Sequence, residues 1–551
     1  MSLSDSELLM LEQLTYYNEY SYLKEYGISE GMTVGMIVDA FDENELSKIE
    51  KEDNGGPISG QEWAAMIRYM QNNDAMKNLE IEEIIPKTGK TDRILFKDSG
   101  GKNVIVAFRG TVEETYEWRD NIEGLNRADT DAQKKALDYI HSLPYDDITV
   151  VGHSKGGNKA QYVAITSDKV SRCVSMDGQG FSKEFLDKYR DEIVKNAHKI
   201  KNYSLSTDYV HVLLYGVPGA EQIYIQNGDD VKNTKQIHSS NSLFEYYVDE
   251  NGDTQIVLKN GEIYLPVTNE DPSAALLRAF TIFVMRNASD SELQEIVNFI
   301  GPVIDTLFRE GGKAGIKVGV EKLVTTKGFE TFIAYLIKYI VVNDLGVDDL
   351  VQLLEALGIG DKLFDYLKQR LGDILPPGVN NLKTLLGLLL ADIIAVFMLG
   401  SPASALLSLL FSALGIEIAS IIKAYNNIDV KYNPVIVTSS GKITDYSSNT
   451  YNMLLGSIHD FQNMSLPGVS KWKAYSGAQW YGKVSAALAI MCINAYADNL
   501  EDINSVCKIG INAVFEIIKQ IDSNYSNKLQ TTRSTINEIC AKLDEITLRL
   551  S

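Results

Sequence analysis

VVGHSKGGNKA, residues 150–160, is the stretch on which the reading of this chain turns. It opens as an apolar run, bends at Gly152, sets Ser154 between glycine flanks and continues as a helix-compatible segment. G-x-S-x-G between a strand and a helix is a nucleophile elbow, a turn that lifts the serine hydroxyl clear of the strand end. The flanks supply that context: DITVV (147–151) reads as a strand, and GGNKAQYVAITSD (156–168) as a helix with small residues at its start. Glycine at 152 and 156 lets the two backbones approach around a strained serine, and a helix N-terminus behind it favours developing negative charge. The competing reading is an inert surface serine, because so short a motif also recurs by chance.

Outward from the elbow, NVIVAFRG (103–110), RCVSMDGQG (172–180) and IKNYSLSTD (200–208) also read as buried strands ending in turns. DAQKKALDYIHSL (131–143) and KEFLDKYRDEIVKNAHKI (183–200) lie between strands as amphipathic helices. That alternation predicts an α/β domain, a parallel sheet covered by helices. Before it, SELLMLEQLTYYNEYSYL (6–23) carries leucine and tyrosine at helical spacing. After it, FEYYVDENGDTQIVLKNGEIYL (244–265) reads as hairpins turning at Asn251-Gly252 and Asn260-Gly261.

Beyond residue 265 the strand texture stops. A chain of 551 residues exceeds one ordinary core, and the texture divides it into 1–265, an apolar helical region at 266–435, and a more polar all-α region at 436–551. Thr384–Ile416 holds a single charge, Asp392. As one helix it would reach about 50 Å against a hydrocarbon core of about 30 Å, but Gly400 and Pro402 split it. Two shorter helices are expected, as a buried hairpin or a membrane-inserting one.

Composition narrows the function classes. Apolar content of 45% excludes wholesale disorder, and a net charge of −22 without a basic cluster argues against nucleic acid. Cys173, Cys492, Cys507 and Cys540 lack CxxC spacing, so buried thiols are expected rather than zinc or a disulfide framework. MSLSDSELLMLEQL has no basic segment before its apolar positions, so a classical signal peptide is not expected.

A serine nucleophile needs a base and the base an orienting acid; in this architecture they follow in the order serine, acid, histidine. Of six histidines, His238 in the polar loop TKQIHSSNS is the leading candidate base, and His211 the alternative. Asp208, at the end of IKNYSLST, leads as the acid, and Asp177, at the end of the preceding strand, is its alternative. His153, inside the elbow, is expected to hydrogen-bond locally. The oxyanion calls for two donors: the backbone N–H of Lys155, and one from the loop at Gly110-Thr111. No metal or cofactor is required.

VAFRGT, EWRDNI, GHSKGGNKA and DGQGF, in this order, resemble the class 3 lipase group of α/β-hydrolases and especially its Mbeg1-like branch. The resemblance covers roughly residues 1–265. It implies an α/β-hydrolase fold, a triad of Ser154, Asp208 and His238, and an oxyanion hole lined by Thr111 and Lys155, with Arg109, Trp118 and Asn121 bracing the oxyanion loop. The whole chain, with LPGVSKWKAYSGAQW (466–480) leading into long helices, also resembles type VII-secreted lipase toxins of Gram-positive bacteria. Those carry an LXG-like helical targeting domain. This second resemblance implies a lipid ester substrate at a membrane surface, small helical-hairpin secretion partners, an immunity protein, and secretion by a non-Sec route. An intracellular esterase with a helical lid or oligomerisation domain is one alternative, with a cytoplasmic location. A non-catalytic membrane-inserting or binding protein is the other.

Overall fold

The computed structural model describes residues 3–431, apart from 53–57, 88–89, 112–123, 125–126, 227–237, 297, 300–327 and most of 344–417. Trp118, Asn121, nearly all of Thr384–Ile416 and the whole of 436–551 lie outside the described residues. By contact the chain divides into two units, and the first takes in Met1–Tyr339, Gln352–Leu363 and Lys423–Thr444.

Its N-terminus is helical: α1 (Asp5–Glu12) runs into a 3-10 segment (Gln13–Glu19), followed by α2 (Val34–Val38), α3 (Glu43–Ile49), α4 (Gly60–Gln71) and α5 (Asp74–Lys77). Ser4, Asp42 and Ser59 each close a capping box at the start of α1, α3 and α4, which satisfies first-turn amides and fixes where these short helices begin.

The sheet has eight strands in the spatial order β1 (Glu80–Lys87), β2 (Lys90–Lys97), β3 (Val104–Phe108), β4 (Ile148–His153), β5 (Val170–Met176), β6 (Ile200–Leu205), β7 (Glu221–Ile225) and β12 (Val267–Thr268). β3 through β7 are parallel, while β1–β2, β2–β3 and β7–β12 are antiparallel. This is the α/β architecture expected of an α/β-hydrolase. Two small hairpins, β8–β9 (Tyr246–Val248, Thr254–Ile256) and β10–β11 (Leu258–Lys259, Glu262–Ile263), turn where Asn251-Gly252 and Asn260-Gly261 predict. Asn260 and Gly261 both have positive φ, 56° and 85°, the conformation a two-residue hairpin turn requires.

Because each parallel strand lies beside its predecessor, right-handed crossovers deliver every connecting helix to one face. α6 (Asp131–Ser142), α7 (Lys155–Thr166), α8 (Lys183–Lys188) and α9 (Arg190–Asn196) cover that face, against Val104, Val106, Phe108, Val150 and Cys173. The segment 183–200, expected as one helix, breaks at Tyr189. The strand residues of opposite parity, Ile105, Ala107, Val151, Val174 and Met176, face the other way and pack with Leu8, Leu9, Leu11, Leu14 and Trp63 of the N-terminal helices. Asp5 pins α1 to two strands through Arg172, Lys201 and Tyr203.

α10 (Pro272–Asn287) packs over the segment after β6, with Thr281 donating to the Val212 carbonyl and the Asp271 amide to that of Ser206. No helix among the described residues is long and apolar enough to cross a membrane.

Candidate active site

Ser154 stands between β4 and α7 with φ 54° and ψ −120°, a region that a residue with a side chain enters only when its surroundings enforce it. The backbone is held on both sides: the Ser154 amide donates to the Met176 carbonyl at 2.8 Å, and its carbonyl accepts from the Asn158 amide at 3.0 Å. Glycine is obligatory around it. A Cβ on Gly152 would lie 2.4 Å from the Gly156 carbonyl, and one on Gly156 would lie 2.1 Å from the Phe108 carbonyl oxygen. Helix α7 thus crosses the ends of β3 and β4 at backbone contact distance.

Asp208 follows the C-terminal end of β6, and His238 lies in the loop beyond β7; a parallel sheet presents such loops together at one edge. His238 Nε2 is 2.8 Å from Ser154 Oγ, and His238 Nδ1 is 2.7 Å from Asp208 Oδ2. Asp208 is fully buried, and its Oδ1 accepts from the backbone amides of Val210 at 2.9 Å and His211 at 3.1 Å. Burial alone would raise the Asp208 carboxyl, but the facing His238 and the hydrogen bonds from His211 and His238 hold it below the usual carboxylate range. Asp208 is therefore a carboxylate fitted to a donor on Nδ1.

The alternatives stand nearby in other environments. Asp177 has positive φ, 46°, is fully buried, and spends Oδ1 on the Leu205 amide at 3.0 Å. Burial first, and the charge of Asp208 second, push its carboxyl well above the ordinary range. It is a neutral acid. His211 sits beside Asp208 Oδ1, with Nδ1 at 3.5 Å, and its Nε2 is 3.5 Å from Glu270, which pairs with Arg278. The His211 ring thus lies at the outer edge of hydrogen-bond distance from two carboxylates, and it is His238 that meets Ser154.

Thr111 ends the described part of the loop after β3, and Lys155 is the first residue of α7, a position whose amide no carbonyl of its own helix engages. Arg109 is buried, pairs with Glu19 and stacks on the Tyr16 ring, its guanidinium carbon 4.5 Å from the centroid.

Three polar residues of the N-terminal segment reach the site and escape reading from the motifs. Tyr16 Oη accepts from the Gly110 amide at 3.1 Å and lies 3.0 Å from His153 Nδ1. Gln13 exchanges two hydrogen bonds with Ser240, two residues past His238: Nε2 to its carbonyl at 2.9 Å, and its Oγ to Oε1 at 2.7 Å. Glu12 is buried beneath the elbow, and burial raises its carboxyl well above normal. The signal available in sequence is the polar pair Glu12-Gln13 inside the otherwise apolar run LLMLEQLTYY.

Among the described residues, two groups bring potential metal-ligand atoms within 4.8 Å of one another: His153, Asp177 and His238, and Asp177, Asp208 and His211. Each draws on a residue of the Ser154–His238–Asp208 chain, so a cation there would compete with those hydrogen bonds.

Residues 77–233 match the Mbeg1-like family model. The likeness read from VAFRGT, GHSKGGNKA and DGQGF is thus borne out over this Mbeg1-like region, which holds Ser154, Asp208, Thr111 and Lys155; His238 lies five positions beyond it. No curated protein matches the chain. Among solved structures, the M37 lipase is similar at 12% identity and a TM-score of 0.23, over 38% of this chain and 70% of that one.

Proposed function

We propose that the protein is a serine acyl-ester hydrolase acting on lipids. The observation that carries this reading is one imidazole joining Ser154 Oγ to a buried carboxylate at 2.8 and 2.7 Å. Ser154 Oγ attacks the ester carbonyl carbon while His238 Nε2 takes its proton. The oxygen that becomes negative is received by the Lys155 amide and the Thr111 side of the facing loop. As the tetrahedral intermediate collapses, the C–O bond to the leaving alcohol breaks and His238 returns the proton to that alcohol. Water, activated by the same imidazole, then releases the carboxylic acid and restores Ser154. Asp208 keeps Nδ1 protonated and stabilises the imidazolium of each step.

Lipid as the ester class rests on the class 3 lipase resemblance and on the Mbeg1-like match. The type VII toxin resemblance extends the proposal to a secreted enzyme with small helical-hairpin partners, an immunity protein and a membrane surface as its substrate source.

The test is incubation of pure protein with mixed phospholipids and triglycerides, products identified by mass. Ser154→Ala and His238→Ala should each lower kcat by about 10⁴-fold or more, with the circular dichroism spectrum unchanged. Turnover of short soluble esters with no gain from vesicles would favour an intracellular esterase. Wild type and Ser154→Ala behaving alike in every assay would leave a non-catalytic binding protein.

A further inference from the structure

His153 presents a problem that the triad chemistry does not solve by itself. Its ring lies 4.9 Å, centroid to centroid, from that of His238 and is buried. In the reading above, His238 becomes an imidazolium in every transition state. A second positive charge at that separation, screened by little water, would oppose that step directly. His153 must stay neutral for His238 to work.

The hydrogen bonds around it supply a means. The Gly110 N–H donates to Tyr16 Oη, leaving the hydroxyl's single hydrogen for His153 Nδ1. The opposite arrangement, Nδ1–H donating to the same oxygen, would strand the hydroxyl hydrogen and leave Nε2 a bare acceptor, two unmet groups against the single ring hydrogen that the Nε2–H form leaves without a partner. Gly110 packs directly against both partners and leaves no space for a side chain, since a Cβ there would lie 2.8 Å from Tyr16 Oη and 2.9 Å from His153 Nδ1. We propose that Tyr16 is a positioning residue: it ties the loop after β3 to the elbow and holds His153 as the neutral Nε2–H imidazole beside His238. The titratable and charged groups around His153 are Glu12 and Tyr16 from the N-terminal segment, Arg109 from the end of β3, and Asp177, Asp208 and His238. Burial, and after it His238, disfavours a charged His153, in the same direction as the hydrogen-bond chain.

The inference rests on the hydrolase reading for its consequence, though not for its geometry, and the experiment separates the two. Tyr16→Phe should lower kcat about ten-fold with KM within about two-fold, because a hydrogen bond that steadies the transition state is lost while substrate contacts are untouched. Nitrogen chemical shifts of histidine-labelled full-length protein, with His153→Asn for assignment, read the ring without catalysis. Wild-type His153 should be the Nε2–H form from about pH 5 to 8; in Tyr16→Phe, where burial still keeps the ring neutral, the Nδ1–H form should appear beside it. A wild-type ring in the Nδ1–H or charged form overturns the proposal, as does a Tyr16→Phe variant whose ring stays wholly in the Nε2–H form. Wild type that hydrolyses no ester overturns the enzymatic reading, while the ring spectrum still decides the tautomer.

Discussion

Two carboxyls, Asp177 and Asp208, end adjacent strands of one sheet, and burial affects both; their partners separate them. Asp208 faces an imidazole and two backbone amides, which hold it low; Asp177 has one amide, the Ser204 side chain and a carboxylate neighbour, and burial with that neighbour's charge outweighs the two hydrogen bonds and raises it. Replacing Asp208 by Asn should cost about 10⁴-fold in kcat, because an amide at that site stabilises the wrong tautomer of His238; loss below ten-fold in steady-state assays would contradict the assignment. For Asp177 the sign runs the other way. Its folded value is raised, so between the ordinary value and the raised one the folded chain holds a proton that the unfolded chain has released, and stability falls as pH rises through that window. Asp177→Asn cannot ionise and should relieve this loss, by about 1.4 kcal/mol for each unit of the shift. Denaturant melts at about pH 5 and pH 8 check it: the variant should gain on wild type at the higher pH. Equal differences at both pH values would refute a neutral Asp177.

At the scale of elements, the elbow depends on how closely α7 crosses the end of β3. Gly156→Ala places a methyl 2.1 Å from the Phe108 carbonyl oxygen, a backbone atom that cannot step aside without moving the strand. It should destabilise the domain by about 3 kcal/mol or more and remove activity with it, as read by thermal melts and ester turnover. A variant that melts like wild type would mean that the helix sits further from the strand than described. The same close crossing explains why the site was legible in the sequence: Gly152, Ser154 and Gly156 are local in the chain, and a strand-turn-helix can be read from a dozen residues. By contrast, β1, β2, β7 and β12 escaped that reading. β7 and β12 are short and their residues largely half-exposed or exposed, and β1 carries Glu80, Glu82 and Glu83, so an alternating apolar pattern is weak there.

At the scale of the whole unit, the order β3 to β7 leaves one sheet face without crossover helices, and residues 3–79 cover it. Deleting residues 1–79 would expose Ile94, Phe96, Ile105, Ala107, Val151 and Val174 together, a patch large enough to drive association. The truncated chain should aggregate and bind a hydrophobic dye, as measured by gel filtration and fluorescence. A soluble monomer with native circular dichroism would show the N-terminal helices to be dispensable. The same segment brings Gln13 and Tyr16 to the loops that carry His238 and Gly110, so cover and site are built by one element.

The sequence by itself determined the local matters: the elbow, the four parallel strands that surround it, the hairpin turns and the short set of candidate acids and bases. Backbone conformation and apolar periodicity act over a few residues, and that is the range at which sequence can be read. Only the tertiary structure decided which histidine meets the serine, which of the two aspartates is held low and which raised, and that Glu12, Gln13 and Tyr16 reach the site. Those outcomes depend on groups far apart in the chain, 84 positions between Ser154 and His238 and 137 between Tyr16 and His153, and on burial, which exists only once the sheet and its two covers have come together.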